Sequence, residues 1–280
     1  MLRDLSGDTS LMSLNTATVR EQWDLKEIIN GCVRHKIGGI SPWRDQVSAI
    51  GLDETAKRIE DAGLRVTGLC RGGMFPAADA AGRQANIDDN RRAIDEAVTI
   101  GADCLVLVVG GLPGGSKDLA DARGQVFDGI SAVLDHARSN HMPLAIEPLH
   151  PMYAADRACV NTLRQALDMC DGLGAGIGVA VDVYHVWWDP DLEAGIARAG
   201  ANSQLLAYHV CDWLVETKDL LLDRGMMGDG VIDLKGIRTW VEAAGYDSLC
   251  EVEIFSAANW WKRDPDDVLK TCVTRHQTVV

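Results

Sequence analysis

Short apolar runs alternate with longer amphipathic ones along the whole 280-residue chain. Leu11 to Val19 predicts a first strand. Trp23 to Lys36 follows as a helix, with Leu25, Ile28, Ile29, Cys32 and Val33 on one stripe. Ile37 to Ser41 is the second strand, ending near Trp43, and Leu52 to Ala62 is its helix. The third strand runs from Leu64 to Cys70 and ends at Arg71-Gly-Gly. Residues 74–86 read as a loop, and Asn86 to Ile100 as a helix opened by Asp88 and Asp89. Cys104 to Val109 is the fourth strand; it runs into the glycine-rich segment Gly110 to Gly115, and Leu119 to Ser139 is a long helix.

The second half repeats the alternation. Pro143 to Ile146 is too short and apolar for a surface helix, and Pro148 prevents its continuation, so it reads as a fifth, fully buried strand ending at Glu147. A helix from Asn161, its expected cap, reaches about Cys170. Ile177 to Val181 leads into Asp182, and Leu205 to Tyr208 leads into His209, with a short helix from Asp191 to Arg198 between them. The helix Asp233 to Ala244 precedes an eighth strand, Leu249 to Val252, that carries Glu251 and Glu253; Pro265 to His276 is the last helix. Eight strand–helix units without a linker predict one α/β domain over residues 1–280, a single (β/α)8 TIM barrel. A doubly wound open sheet is the competing architecture, but no Gly-x-Gly-x-x-Gly follows the first strand.

Four of these strands end in Glu, Asp, His and Glu. In such a barrel the strand C-termini open onto one face, so Glu147, Asp182, His209 and Glu253 converge from strands five to eight. Buried charge is costly unless it is paired or bound to metal. Carboxylates with one imidazole suit one divalent ion, Mn, Mg or Co, with Zn as a further choice. Glu251 shares a face with Glu253, two residues on, but lies deeper; Glu253 is the expected ligand, and Glu251 is expected to pair with a buried cation.

Composition narrows the partners. The net charge of −14 opposes a phosphate backbone, so nucleic acid is not expected. No run of about 18 apolar residues predicts a membrane span, and the first residues lack the apolar region of a secretory signal. Eight scattered cysteines with no Cys-x-x-Cys fit a reduced, cytoplasmic protein.

The motifs Ile146-Glu-Pro148, Asp182-Val-Tyr-His185, His209-Val-Cys-Asp212, Arg224 with Gly228-Asp-Gly230, and Glu251-Val-Glu-Ile-Phe255 together resemble the xylose isomerase-like barrel superfamily. That group contains sugar-phosphate isomerases and epimerases, ketose 3-epimerases, inosose dehydratases and endonuclease IV. The resemblance implies one divalent metal on Glu147, Asp182, His209 and Glu253, with His185 and Arg224 reaching substrate oxygens. It also implies proton transfer by Glu147 and Glu253 through an enediolate, with His185 or Arg224 stabilising the developing oxyanion. Members of the family form dimers or tetramers, so a homo-oligomer is compatible with it.

Two departures narrow the family reading. Ketose 3-epimerases carry a further Glu six residues after the strand-five ligand, where this chain has Tyr153. The three-metal endonuclease IV branch needs extra histidines, whereas here the second and third strands end near Trp43 and Arg71.

Trp43, Arg71, His150 and Trp188 are further candidates for substrate contact, the tryptophans because flat aromatic faces at a barrel mouth suit sugar rings. His150 is also a candidate acid or base. Asp212 is a candidate to orient His209 or His185. Gly110 to Gly115 is a candidate phosphate cradle, with Lys117 its neighbouring cation. The expected activity is isomerisation or epimerisation of a small carbohydrate-like carbonyl compound. The alternatives are a lyase, dehydrating a keto-cyclitol or keto-acid or cleaving a keto-glycoside, and a barrel that binds without catalysis.

Overall fold

The period-two pattern of the strands decides what the barrel holds inside and what it shows its helices. In β6 (Leu144–Ile146), Leu144 and Ile146 pack outward, while Ala145 belongs to a separate interior cluster. The same holds in β5 (Leu105–Val108), where Leu105 and Leu107 face the helices and Val106 faces the interior. Ala180 of β7 (Ile177–Asp182) and Ala207 of β8 (Leu205–Val210) complete that interior cluster with Cys70 and Cys104. Each of Ala145, Ala180 and Ala207 stands two residues before a residue of the expected metal set. Small side chains in the layer below therefore leave room above them.

A computed structural model describes residues 2–280. Its strands form one parallel sheet in the order β3-β2-β1-β9-β8-β7-β6-β5-β4. Here β1 is Met12–Asn15, β2 Gly39–Ser41, β3 Arg65–Val66, β4 Leu69–Gly73 and β9 Cys250–Val252. The two ends of that order are successive pieces of the expected third strand, interrupted at Thr67-Gly68. β3 pairs with β2 and β4 with β5, while bridges Trp43 to Cys70 and Val66 to Ala102 span the join. The result is an eight-stranded barrel with one strand broken. The pairing of β4 with β5 slips between Cys70 and Gly72, so Arg71 stands at a bulge, an irregularity that re-aims side chains.

The outer helices are α1 (Leu25–Arg34), α2 (Arg44–Ile50), α3 (Leu52–Asp61), α4 (Ala80–Thr99), α5 (Leu119–Ser139), α6 (Leu163–Leu173), α7 (Val183–Val186), α8 (Leu192–Ala201), α9 (Leu234–Ala243) and α10 (Pro265–Thr278). Their inner faces supply Ile28, Ile94, Val126, Leu167, Ile196, Val241 and Leu269 to the main core. Asp24 and Glu27 close a capping box on α1, a feature contributing about 1 kcal/mol.

The structure corrects three details. α4 begins at Ala80, capped by Asp79, so residues 80–86 are helical rather than loop, and Asp88 and Asp89 lie inside the helix. The sequence 80–86 has no apolar stripe because most of that turn is exposed. Thr162, not Asn161, caps α6; the Asn161 amide instead donates to the carbonyls of Leu149 and Ala158. α2 precedes the expected helix and buries only Val47, too little to create a readable pattern. Among the described residues, no helix is long and apolar enough to cross a membrane, and all eight cysteines are free and buried.

Candidate metal centre and substrate pocket

Glu147 follows β6, Asp182 ends β7, His209 lies near the end of β8, and Glu253 follows β9. Asp182 is in register with His209, which is in register with Glu251. One donor atom from each of Glu147, Asp182, His209 and Glu253 lies within 4.8 Å of all the others, and all four residues are buried. Glu251 stays one layer down, and Glu253 completes the group.

The arrangement fits a metal better than it fits its own ion pairs. Glu147 Oε1 and both ring nitrogens of His209 are buried without a hydrogen-bond partner among the described residues. Glu147 Oε1 and His209 Nδ1 are 3.0 Å apart, yet they do not point at one another in hydrogen-bond geometry. Neighbouring ligands on an octahedral ion with bonds of about 2.1 Å are separated by about 3 Å. Three carboxylates and an imidazole can therefore hold one divalent cation.

Arg224 supplies positive charge at the same place. Its Nη1 donates to Asp182 Oδ2 at 2.9 Å and to Glu253 Oε2 at 3.0 Å. The guanidinium lies over the Tyr184 ring at 4.4 Å and near the Phe255 ring at 5.3 Å. Burial opposes its charge, but Asp182 and Glu253 hold its pKa well above the ordinary value. Burial alone would raise Asp182; the charges of Arg224, His185 and His209 outweigh it and lower the pKa. Glu253 goes the other way: burial, with Glu147 and Asp182 adding to it against Arg224, pushes it up to about 8. Burial likewise disfavours a charged His209, but Glu251, Glu147 and Glu253 together raise its pKa.

His185 lies on α7, the short turn after β7, with its Nε2 3.2 Å from Arg224 Nη2 and 3.6 Å from Asp182 Oδ2. Burial drives its pKa down to about 3, against the pull of Asp182. The ring is therefore neutral near pH 7. Its Nδ1 accepts from the backbone N–H of His150 at 3.3 Å, while its Nε2 faces Arg224 Nη2, a group that can only donate.

A buried polar layer holds Glu253 in place. Asn15 Nδ2 donates to Glu253 Oε1 at 2.9 Å and to Glu251 Oε1 at 2.8 Å, and Trp43 Nε1 donates to Asn15 Oδ1 at 2.8 Å. Thr67 donates to the other oxygen of Glu251 at 2.8 Å. Glu251 thus rests on an amide and a hydroxyl, with His209 Nε2 at 3.6 Å as the cation near it. Asn15 went unnoticed in the sequence because its partners arrive only when β1 and β9 pair.

The cavity above this layer is lined by Trp43, Arg71, Glu147, Tyr153, Arg157, His185, Arg224, Glu253 and Phe255, among others. Trp43 and Arg71, two of the residues expected to contact substrate, line this cavity. His150 and Trp188 are not on this wall. His150 stacks on Trp213 at 4.9 Å and meets the edge of Trp188 at 5.9 Å, and Trp188 Nε1 donates to the His185 carbonyl. They form a backing for His185.

Asp212 does not reach either histidine. Its carboxylate accepts from the N–H groups of Trp213, Gly228 and Ile232, bracing the loop that carries Arg224. Two amides of the glycine-rich segment, those of Gly110 and Leu112, are engaged within the fold. Gly110 N and Leu112 N donate to the carbonyls of Arg157 and Ala155, and a side chain at Gly111 would collide with the Ala155 backbone at 2.5 Å. That close approach fixes the loop bearing Arg157, a residue with no signal in the sequence pattern.

The comparisons agree with this architecture. The model of the xylose isomerase-like TIM barrel matches residues 30–272. The chain belongs to the xylose isomerase-like TIM barrel family. Among solved structures of this fold, protein SMc04130 from Sinorhizobium meliloti 1021 is 64% identical, with 97% of this chain and 99% of that one covered at a TM-score of 0.96. The IolI protein, solved with a bound zinc atom, is similar at 20% identity, covering 94% and 96% of the two chains with a TM-score of 0.81. The 3-keto-D-glucoside 4-epimerase YcjR from E. coli is similar at 17% identity, covering 96% and 99% with a TM-score of 0.76. The last two likenesses bear on the fold alone. No curated protein matches the chain in sequence.

Proposed function

We propose that this barrel is a divalent-metal-dependent isomerase or epimerase of a small polyhydroxylated carbonyl compound, using Mn, Mg or Co, or else Zn. The observation that supports this reading is the convergence of Glu147, Asp182, His209 and Glu253 within 4.8 Å, two of them carboxylates that open onto the substrate cavity. The bound metal would polarise a carbonyl and its neighbouring hydroxyl and offset the negative charge that develops there. Glu147, with an unpartnered Oε1, takes the carbon-bound proton. Glu253 returns a proton to the opposite face or to the adjacent carbon. Arg224, a donor held beside the neutral His185, stabilises the substrate oxygen that gains charge. Trp43 and Phe255 close the apolar side and keep water from the carbanionic carbon.

The test is elemental analysis of the dialysed protein beside Glu147→Gln and Asp182→Asn, followed by deuterium uptake from D2O into a panel of ketoses. About one metal per chain, lost in both variants, with deuterium recovered in unconsumed substrate, is the expected result. Stoichiometric loss of water or of an aglycone would make the enzyme a lyase. Metal binding without any exchange of carbon-bound hydrogen would leave a binding barrel. No metal after Mn2+ or Co2+ is supplied would remove the basis of the proposal.

A further inference from the structure

The substrate cavity contains two arginines that the metal site does not use. Arg71, at the bulge of β4, and Arg157, in the loop after β6, both line it and both are half-buried. Other arginines of this mouth are paired: Arg224 with Asp182 and Glu253, Arg44 with Asp89 and Glu96, Arg20 with Asp45. Among the described residues, Arg71 and Arg157 have no carboxylate within 4 Å and no acceptor for their side-chain N–H groups. Arg157 has only the face of Tyr153, at 5.7 Å. Asp219, whose charge reaches Arg157, turns its carboxylate to the N–H groups of Leu221 and Leu222.

Leaving two cations half-desolvated without a partner is unfavourable. It is notable in a chain with 41 acidic residues to 27 basic ones, where a carboxylate partner was abundantly available. Burial, and then the neighbouring charge of Arg157, hold the pKa of Arg71 below its ordinary value. The same cavity holds a third donor. The Tyr153 hydroxyl is buried, lines the same cavity and has no partner. The loop that presents Tyr153 and Arg157 is clamped by the Gly110–Leu112 backbone and by Arg123, which donates to the Cys159 carbonyl. The donors are held in place before any ligand arrives.

We propose that Arg71, Arg157 and the Tyr153 hydroxyl form an anion subsite, and that the substrate carries a carboxylate or a phosphate monoester bound there. This deepens the isomerase reading and rests on it for the carbonyl end of the substrate. Guanidinium groups bind both anions through paired N–H donors.

Calorimetric titration of the full chain with D-gluconate, D-glucitol 6-phosphate and D-glucitol compares one six-carbon frame bearing a carboxylate, a phosphate or no charge. It is run metal-free and Mn2+-loaded, because a metal attracts anions by itself. One of the two anions is expected to bind about tenfold or more tighter than D-glucitol in both states. Arg71→Gln or Arg157→Gln should each remove most of that preference, and the corresponding Lys variants should retain part of it. Preference for gluconate alone assigns a carboxylate, and preference for the phosphate alone a phosphate monoester.

Equal affinity for all three compounds, or no binding of any, overturns the proposal. So does an anion preference that survives in both glutamine variants. Should a glutamine variant not fold, the wild-type comparison decides alone. Metal content of the same samples separates the two readings. Absent metal with an intact anion preference sinks the isomerase and leaves the subsite; bound metal with no preference does the reverse.

Discussion

On the side of the mouth built by β6 to β9, three carboxylates and an imidazole face inward, and the charge they need is a cation. On the side built by β4 and the loop after β6, Arg71, Arg157 and Tyr153 line the same cavity, and the charge they would take is an anion. The acidic side is assembled on strand ends, with Glu147, Asp182 and His209 each two residues beyond a small interior side chain and Glu253 two residues beyond Glu251. The basic side is assembled on a bulge and a loop. Rigid strand ends suit a metal, whose ligands tolerate little displacement, while irregular backbone suits the variable contacts that would select a substrate.

Asp182→Asn should show the strongest asymmetry between the sides. It removes a ligand and a partner of the buried Arg224, so metal affinity should fall about 100-fold or more. The metal-free protein should lose up to about 3–5 kcal/mol in urea unfolding. Unchanged metal binding in this variant would mean that the acidic side is only an ion-pair network.

The pH dependence of metal binding tests the same side. Glu253 has a folded pKa raised to about 8 from an ordinary 4.5, so below pH 8 the metal-free site holds a proton that metal must displace. Affinity for Mn2+ should therefore rise about tenfold per pH unit, or more steeply if His209 also releases a proton, and level off above about 8. For stability the sign is the opposite. A raised pKa favours the metal-free fold fully below 4.5, and that contribution is lost as pH rises to about 8. The increase in Tm on adding Mn2+ should thus grow between pH 6.5 and 8, and a flat profile would place the proton elsewhere.

Asn15→Ala should cost about 1–3 kcal/mol in urea unfolding, because Glu251 and Glu253 both lose a buried donor. Trp43→Phe removes the donor to Asn15 and keeps an aromatic ring, and should cost about 1 kcal/mol. Arg71→Gln should leave metal stoichiometry where it was, which elemental analysis would check. Loss of metal there would show that the two sides of the mouth are coupled.

The acidic side was legible in the sequence because a buried strand that ends in a charge is unusual, and four did so in succession. β7 and α5 were readable for the same reason of strict pattern. Arg157 was not, because a loop residue has no periodicity to betray its direction. His150 and Trp188 were placed at the mouth by their nearness to Glu147 and Asp182, but sequence adjacency could not show that they would stack behind His185. Asp212 sits three residues after His209, yet its strand has ended there and the chain turns it to the N–H groups of its own loop. Asn15 could be assigned only once the first and last strands had paired.

That last contact joins residues 238 positions apart. Glu253 arrives on the final strand, and its amide partner on the first. During synthesis, the complete ligand set cannot exist until nearly the whole chain has left the ribosome and the cylinder has shut. Capture of a metal by these four residues would thereby be tied to the last step of assembly, and a bound ion would report that the barrel has closed.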